Sequence, residues 1–187
     1  MKQMANLLSR QVFVLIGNNN TGKTSFQRHL LAYLCDQPYQ KLPTGRTWDV
    51  VHQDAPRRFE KIFLANRSFQ EKRSEWGPID DYVNGALDQD ADVTILSSHA
   101  DKGSLQDIQR MFELPIARGY NVSVIFFSNA FGTAEQDISA SHHWNERLVI
   151  NNPPVKTQET QQEKIQNQLW RRAIEFSNLL MRRAIAW

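Results

Sequence analysis

Apolar residues fall along this chain in short continuous runs and in helical spacing, and the two kinds alternate. Gln11-Val12-Phe13-Val14-Leu15-Ile16 is an unbroken, β-branched run ending at Gly17. A run of that kind predicts a strand buried on both faces, as in a parallel sheet. From Thr24 to Asp36 the apolar residues Phe26, Leu30, Leu31 and Leu34 keep helical spacing, and Pro38 stops the helix. Residues 37–60 read as an irregular insertion, with turn signals from Pro43 to Gly45 and at Pro56 and a short extended piece near Trp48 to His52. Further strands are predicted at Lys61–Ala65, Val93–Ser97, Asn121–Phe127 and Arg147–Ile150. Helices are predicted between them at Ile79–Leu87, after the Gly77-Pro78 break, and at Leu105–Ala117, before Gly119. The last element is a long helix from about Gln158 to Arg183, with an apolar stripe through Leu169, Ala173, Phe176, Leu180 and Ala184.

Alternating strands and helices imply an α/β fold: three layers, with helices on both faces of a parallel sheet. One domain spanning residues 1–187 suits the length, which is enough to bury a hydrophobic core. Composition then narrows the functional classes. With 22 basic and 20 acidic residues the net charge is +2, so bulk charge makes no case for nucleic acid or a membrane surface. The pairs Arg57-Arg58, Arg171-Arg172 and Arg182-Arg183 read as solvated helix faces. No apolar stretch approaches the ~20 residues of a membrane helix, and Met1 to Arg10 carries no signal-peptide pattern. The single cysteine, Cys35, can form no intramolecular disulfide and sits in an apolar run as a packing residue. Together these features predict a soluble, cytoplasmic protein.

One segment carries chemistry. Gly17-Asn18-Asn19-Asn20-Thr21-Gly22-Lys23-Thr24 fits the pattern G-x-x-x-x-G-K-S/T, between a predicted strand and a predicted helix. Gly17 and Gly22 permit the backbone angles that turn successive N–H groups of Asn18, Asn19, Asn20 and Thr21 inward around a phosphate. Lys23 then reaches the β and γ phosphates, the Thr24 hydroxyl ligates Mg²⁺, and Ser25 continues the positive amino end of the helix.

The strand–loop–helix resembles the Walker A element of P-loop NTPases, over a chain organisation that fits from Gln11 to about Pro153. That resemblance implies a doubly wound sheet with ATP and Mg²⁺ at the carboxyl ends of the strands. A strand-terminal acid, the usual companion, is missing: Val93–Leu96 runs into Ser97-Ser98-His99, and Val124–Phe127 into Ser128-Asn129. Ser97 or Ser98 could hold a metal-bound water, with Asp101 beyond, and Asp49 and Asp54 are other carboxylates within reach of such a role. His99, on a strand-end loop, is a candidate base or phosphate sensor. The sequence lacks the N-K-x-D guanine reader and the LSGGQ segment, which sets aside GTPases and ABC-type ATPases.

Asn66-Arg67-Ser68 is similar to the D-R-Y or E-R-S turn of thymidylate and deoxynucleoside kinases, which implies a phosphate-gripping role for Arg67. Asn66 stands where those families have an acid. Ala117 to Val122 looks like the helix-to-strand turn of zeta-toxin-like kinases, a structural feature. Against a kinase lid, Gly132 to Glu146 contains no arginine or lysine. The expected activity is an ATPase or a phosphotransferase, with Lys23, Arg67 and His99 as catalytic candidates. Arg57, Arg58, Lys61, Lys72 and Arg73 would join Arg67 around the γ-phosphate or an acceptor. The alternative is a non-catalytic ATP switch, in which ATP orders the loops and another protein of a larger assembly reads them. Most of the C-terminal stripe is expected to pack on the sheet, and any remainder to form a homo-oligomer or partner surface. Nucleic-acid handling is the weakest class, resting on the arginine pairs and on Trp48 and Trp76.

Overall fold

The computed structural model describes residues 10–128, 133–153 and 161–185. Six strands form one sheet: β1 (Gln11–Ile16), β2 (Arg46–Asp49), β3 (Lys61–Leu64), β4 (Val93–Ser98), β5 (Asn121–Ser128) and β6 (Arg147–Asn151). Six helices accompany them: α1 (Lys23–Leu34), α2 (Arg73–Trp76), α3 (Ile79–Leu87), α4 (Leu105–Ala117), α5 (Thr133–Ala140) and α6 (Gln161–Ile185). The strand order is β2-β3-β4-β1-β5-β6. β1 runs parallel between β4 and β5, with Ile16 level with Ser98 on one side and Phe126 on the other.

The sheet is not wholly parallel, as the apolar pattern alone implied. β2 pairs antiparallel with β3 at one edge. Residues 50–60 connect the two without a helix, and a connection lacking a crossover turns the chain back on itself. The extended piece thus lies at Arg46–Asp49, slightly ahead of its expected place. α1 ends at Leu34, where Cys35 donates back to the Leu31 carbonyl and Asp36 takes a φ of 50°. α2 and α5 have no counterpart in the apolar pattern because both are short. The expected start of the last helix, at Gln158, lies outside the described residues.

Alternation along β1 divides the core. Val12, Val14 and Ile16 pack with Val83 and Leu87 of α3, Ile108 and Met111 of α4 and Ile138 of α5. Phe13 and Leu15 face the other way, against Phe26, Leu30 and Leu34 of α1 and Leu169, Ala173 and Phe176 of α6. Phe176 sets its ring edge-on to Phe13, 5.1 Å between centroids, which ties α6 to the middle of the sheet. The chain therefore leaves β1 toward one face and β4 and β5 toward the other. Open α/β sheets place ligands at such reversals, outside the carboxyl ends of the strands. Among the described residues no helix is long and apolar enough to cross a membrane.

Candidate functional site

The loop from Gly17 to Gly22 leaves the carboxyl end of β1 at this reversal. Gly17 is there for space: a Cβ on it would lie 2.5 Å from the Phe127 carbonyl oxygen of β5. Gly22 is there for conformation, with φ of 97°, and its α-carbon faces the Leu169 methyls of α6, 3.2 Å from where a Cβ would stand. Asn20 also takes a left-handed φ, 60°, which asparagine tolerates better than most residues. The Thr21 hydroxyl closes the turn by donating to the Asn18 carbonyl at 2.9 Å. Asn152, buried just after β6, donates to the Thr21 carbonyl at 2.8 Å and accepts from Gln168 of α6.

α1 opens on Gly22 with no side-chain cap and no acid in its first turn. Its leading N–H groups and the positive end of its dipole are therefore not offset by a cap or an acid of the helix's own first turn. Lys23 is 7% exposed and donates to the carbonyls of Gly17 at 2.6 Å and Asn18 at 2.8 Å. Burial lowers its pKa to about 8, against the opposing pull of the Glu71 and Glu135 carboxylates. Among the described residues its hydrogen bonds go to carbonyls, and the two carboxylates do not offset its burial, so an anion in the loop would add the missing negative charge.

A cleft of about 300 Å³ opens over the loop, lined by residues from Asn19 to Ser25 together with Arg28, Arg67 and Glu71. Arg67 arrives from the carboxyl end of β3, as the sequence suggested. Glu71 follows one turn later, and it is the one carboxylate among the described residues lining the cleft. It accepts from Arg67 at 3.3 Å and lies 3.2 Å from His99 Nε2. The Thr24 hydroxyl lines the cleft too and donates to the Asn66 carbonyl at 3.3 Å. Asn66 holds a φ of 62° and donates its side-chain amide to the Leu42 and Pro43 carbonyls, which anchors the residue before Arg67.

Other expected site residues fall elsewhere. Ser97 faces α1, fully buried, and accepts from Gln27 Nε2 at 3.1 Å. Asp101 accepts from the Ser104 hydroxyl at 2.9 Å at the start of α4. His99 touches the cleft only through Glu71, and none of the three lines it. Asp49 and Lys61 sit opposite each other at the amino end of β3, away from the cleft, with Arg57 and Arg58 preceding that end. Lys72 pairs with Glu75, and Arg73 with Asp107 at 2.6 Å. Trp48 lies under the Arg46 guanidinium and Trp76 stacks on Tyr82, so neither is a free aromatic surface.

Sequence reasoning missed three charged residues of the site. Glu71 had a local signal, an acid four residues after Arg67. Arg28 had one as well, a cation one turn beyond Thr24. Glu135 had none: it comes from α5, is 1% exposed, and accepts from the Asn18 side chain at 2.6 Å while its second oxygen has no hydrogen-bond partner among the described residues. Among the described residues no group of three His, Cys, Asp or Glu side chains is placed to hold a metal. What the fold and cleft define is an α/β protein with a mostly parallel six-stranded sheet and a cation-rich cleft at its carboxyl edge. Comparison with family models, curated proteins and solved structures returned no match to the chain.

Proposed function

We propose that the chain binds a nucleoside triphosphate, ATP with Mg²⁺, on the loop from Gly17 to Thr24, and that the adjoining cleft hydrolyses or transfers the γ-phosphate. Lys23 carries this reading: a buried ammonium laid across its own loop's carbonyls, at an uncapped helix start. A triphosphate gives that ammonium its counter-charge and the helix N–H groups their acceptors. The donor set also fits Mg²⁺, which takes oxygen ligands and is bound through one or two protein groups plus substrate phosphates. Thr24 would hold it directly and Glu71 through water. Mg²⁺, when bound, offsets charge on the β and γ oxygens.

The residues then divide the work. Lys23 fixes the β and γ phosphates. Arg67, now paired with Glu71, is drawn to the equatorial oxygens of the transferring group, where charge builds up in the transition state. Glu71, released from Arg67 but still beside His99, orients the attacking hydroxyl of water or an acceptor.

One observation favours the alternative, a non-catalytic switch. α6 lies directly on the loop, through Leu169 at Gly22 and through Gln168 and Asn152 at Thr21. A partner reading α6 would sense the state of the loop. Single-turnover assays with γ-labelled ATP, with and without cell extract as a source of acceptor, separate the two readings. Arg67→Ala and Glu71→Gln should each lower turnover at least ~100-fold with little change in ATP affinity. Lys23→Ala, correctly folded, should lose ATP binding in calorimetry. Wild-type ATP affinity in that variant removes the phosphate-loop reading, and ATP binding without turnover in any condition favours the switch.

A further inference from the structure

Arg28 and Tyr39 are used neither by the phosphate loop nor by the chemistry assigned to Arg67 and Glu71. Arg28 stands one turn after Thr24 on α1, on the same helix face and about 6 Å further along the axis. It lines the cleft, its Nε is buried without a hydrogen-bond partner, and it makes no ion pair among the described residues. A buried guanidinium nitrogen left unpaired is costly, and a ligand that drew the side chain into the cleft would relieve that cost. The guanidinium lies over the Tyr39 ring, its carbon 5.8 Å from the centroid, so a base stacked there would take the place the guanidinium now holds.

Tyr39 is one of few large apolar side chains left exposed, at 42%, in the loop that follows α1. It is nevertheless held in place. The His29 ring stacks on it at 4.4 Å and 28° between planes. His29 is fixed in turn by Gln166 of α6, 2.9 Å away, and by the edge of Trp170. Two helices thus brace one exposed aromatic ring beside a cation that opens into the cleft. A ring ordered in advance loses little freedom on binding, which is the condition for an effective stacking surface.

We propose that Arg28 and Tyr39 form the seat for the nucleoside end of the triphosphate, with Arg28 on the oxygens nearest the sugar and the base stacked at Tyr39. The assignment rests on the phosphate-loop reading above. Stacking uses the π-face that every base has and does not read hydrogen-bonding edges. The ligand class is therefore a nucleoside triphosphate held by its ring as well as by its phosphates, and a bare polyphosphate is a poor substitute.

Titration calorimetry on the full chain, with Mg²⁺ and either ATP or inorganic tripolyphosphate, tests this. Wild type should bind ATP more tightly than tripolyphosphate. Tyr39→Ala should weaken ATP about tenfold, within the range of one lost base–aromatic stack, and leave tripolyphosphate within twofold of wild type. Tyr39→Phe, which keeps the ring and its packing on His29, should retain wild-type ATP affinity. Lys23→Ala should weaken both ligands together. The seat is overturned, with the loop reading intact, if wild type binds the two ligands equally or if Tyr39→Ala binds ATP as wild type does. It is overturned too if Tyr39→Ala weakens both ligands alike, because the ring then acts on the loop. If wild type binds neither ligand, the loop reading fails and the seat with it.

Discussion

Lys23 concentrates the electrostatics of this protein in one side chain. Its pKa in the free protein is about 8, below the ordinary 10.5, because burial penalises the ammonium more than Glu71 and Glu135 support it. An unfolded chain would keep the ordinary value, so between about pH 8 and 10.5 the unfolded state binds more protons than the folded one. This group alone makes folding stability rise with pH across that window. Triphosphate binding, as proposed, would work in the opposite sense. An anion beside the ammonium raises its pKa, so the complex holds a proton that the free protein has partly lost above pH 8. ATP affinity should fall as pH climbs through 8, and binding at pH 8.5 should take up protons. Calorimetry in two buffers of different ionisation enthalpy reads that uptake directly. An affinity flat from pH 7 to 9.5, with no proton uptake, would contradict the placement of Lys23 against the phosphates.

Among the elements, α6 has the most to explain. Its stripe was legible as a helix of 3.6-residue period, and Leu169, Ala173, Phe176, Leu180 and Met181 are all buried. The stripe alone predicts packing mostly on the sheet and gives no sign of the contact with α1. It covers α1 and the odd-numbered face of β1, and Leu169 reaches the α-carbon of Gly22. The same residue thus belongs to the core and to the underside of the loop. Leu169→Ala should destabilise the protein by about 2–5 kcal/mol, the usual range for truncating a buried leucine. Urea denaturation measures it. The variant should also bind ATP more weakly under conditions where it stays folded, because the loop loses its backing. A change below about 1 kcal/mol would show that α6 does not pack here as described. Truncation before Lys164 exposes the same face of α1 and should give insoluble protein.

Taken whole, the molecule joins its two core layers at the loop: α6 and Asn152 approach from one face, Glu135 of α5 from the other. A ligand there would tie both halves of the fold together, and binding to the folded state alone would add to global stability. At a ligand concentration 100-fold above Kd the gain is about 2.7 kcal/mol, or roughly 2–4 °C in Tm per kcal/mol for a chain of this size. Saturating ATP with Mg²⁺ should therefore raise Tm by several degrees in wild type and by almost nothing in Lys23→Ala. A scanning fluorescence melt checks it, and an unmoved wild-type Tm would argue against tight triphosphate binding.

The elements themselves were present in the sequence, since strand and helix periods depend on neighbours a few residues apart. Five strands, four helices and the glycine–lysine loop could be read from runs such as Gln11–Ile16 and spacings such as Leu169 to Leu180. The antiparallel turn of β2 could not, because a four-residue edge strand with exposed ends and only Thr47 and Trp48 half-buried looks like irregular chain. Nor could the company that Lys23 keeps. Ser97 and Asp101 were plausible from strand position alone, yet Ser97 turns toward Gln27 and Asp101 toward Ser104, while the carboxylate in the cleft is Glu71. Arg28 and Tyr39 are eleven residues apart and meet only because the loop after α1 folds back along that helix. Glu135 meets Asn18 across 117 residues. Local pattern set which segments are helix or strand and where a phosphate loop could form. Crossover direction and layer packing set which charges face that loop, because those contacts exist only once the sheet has ordered its strands.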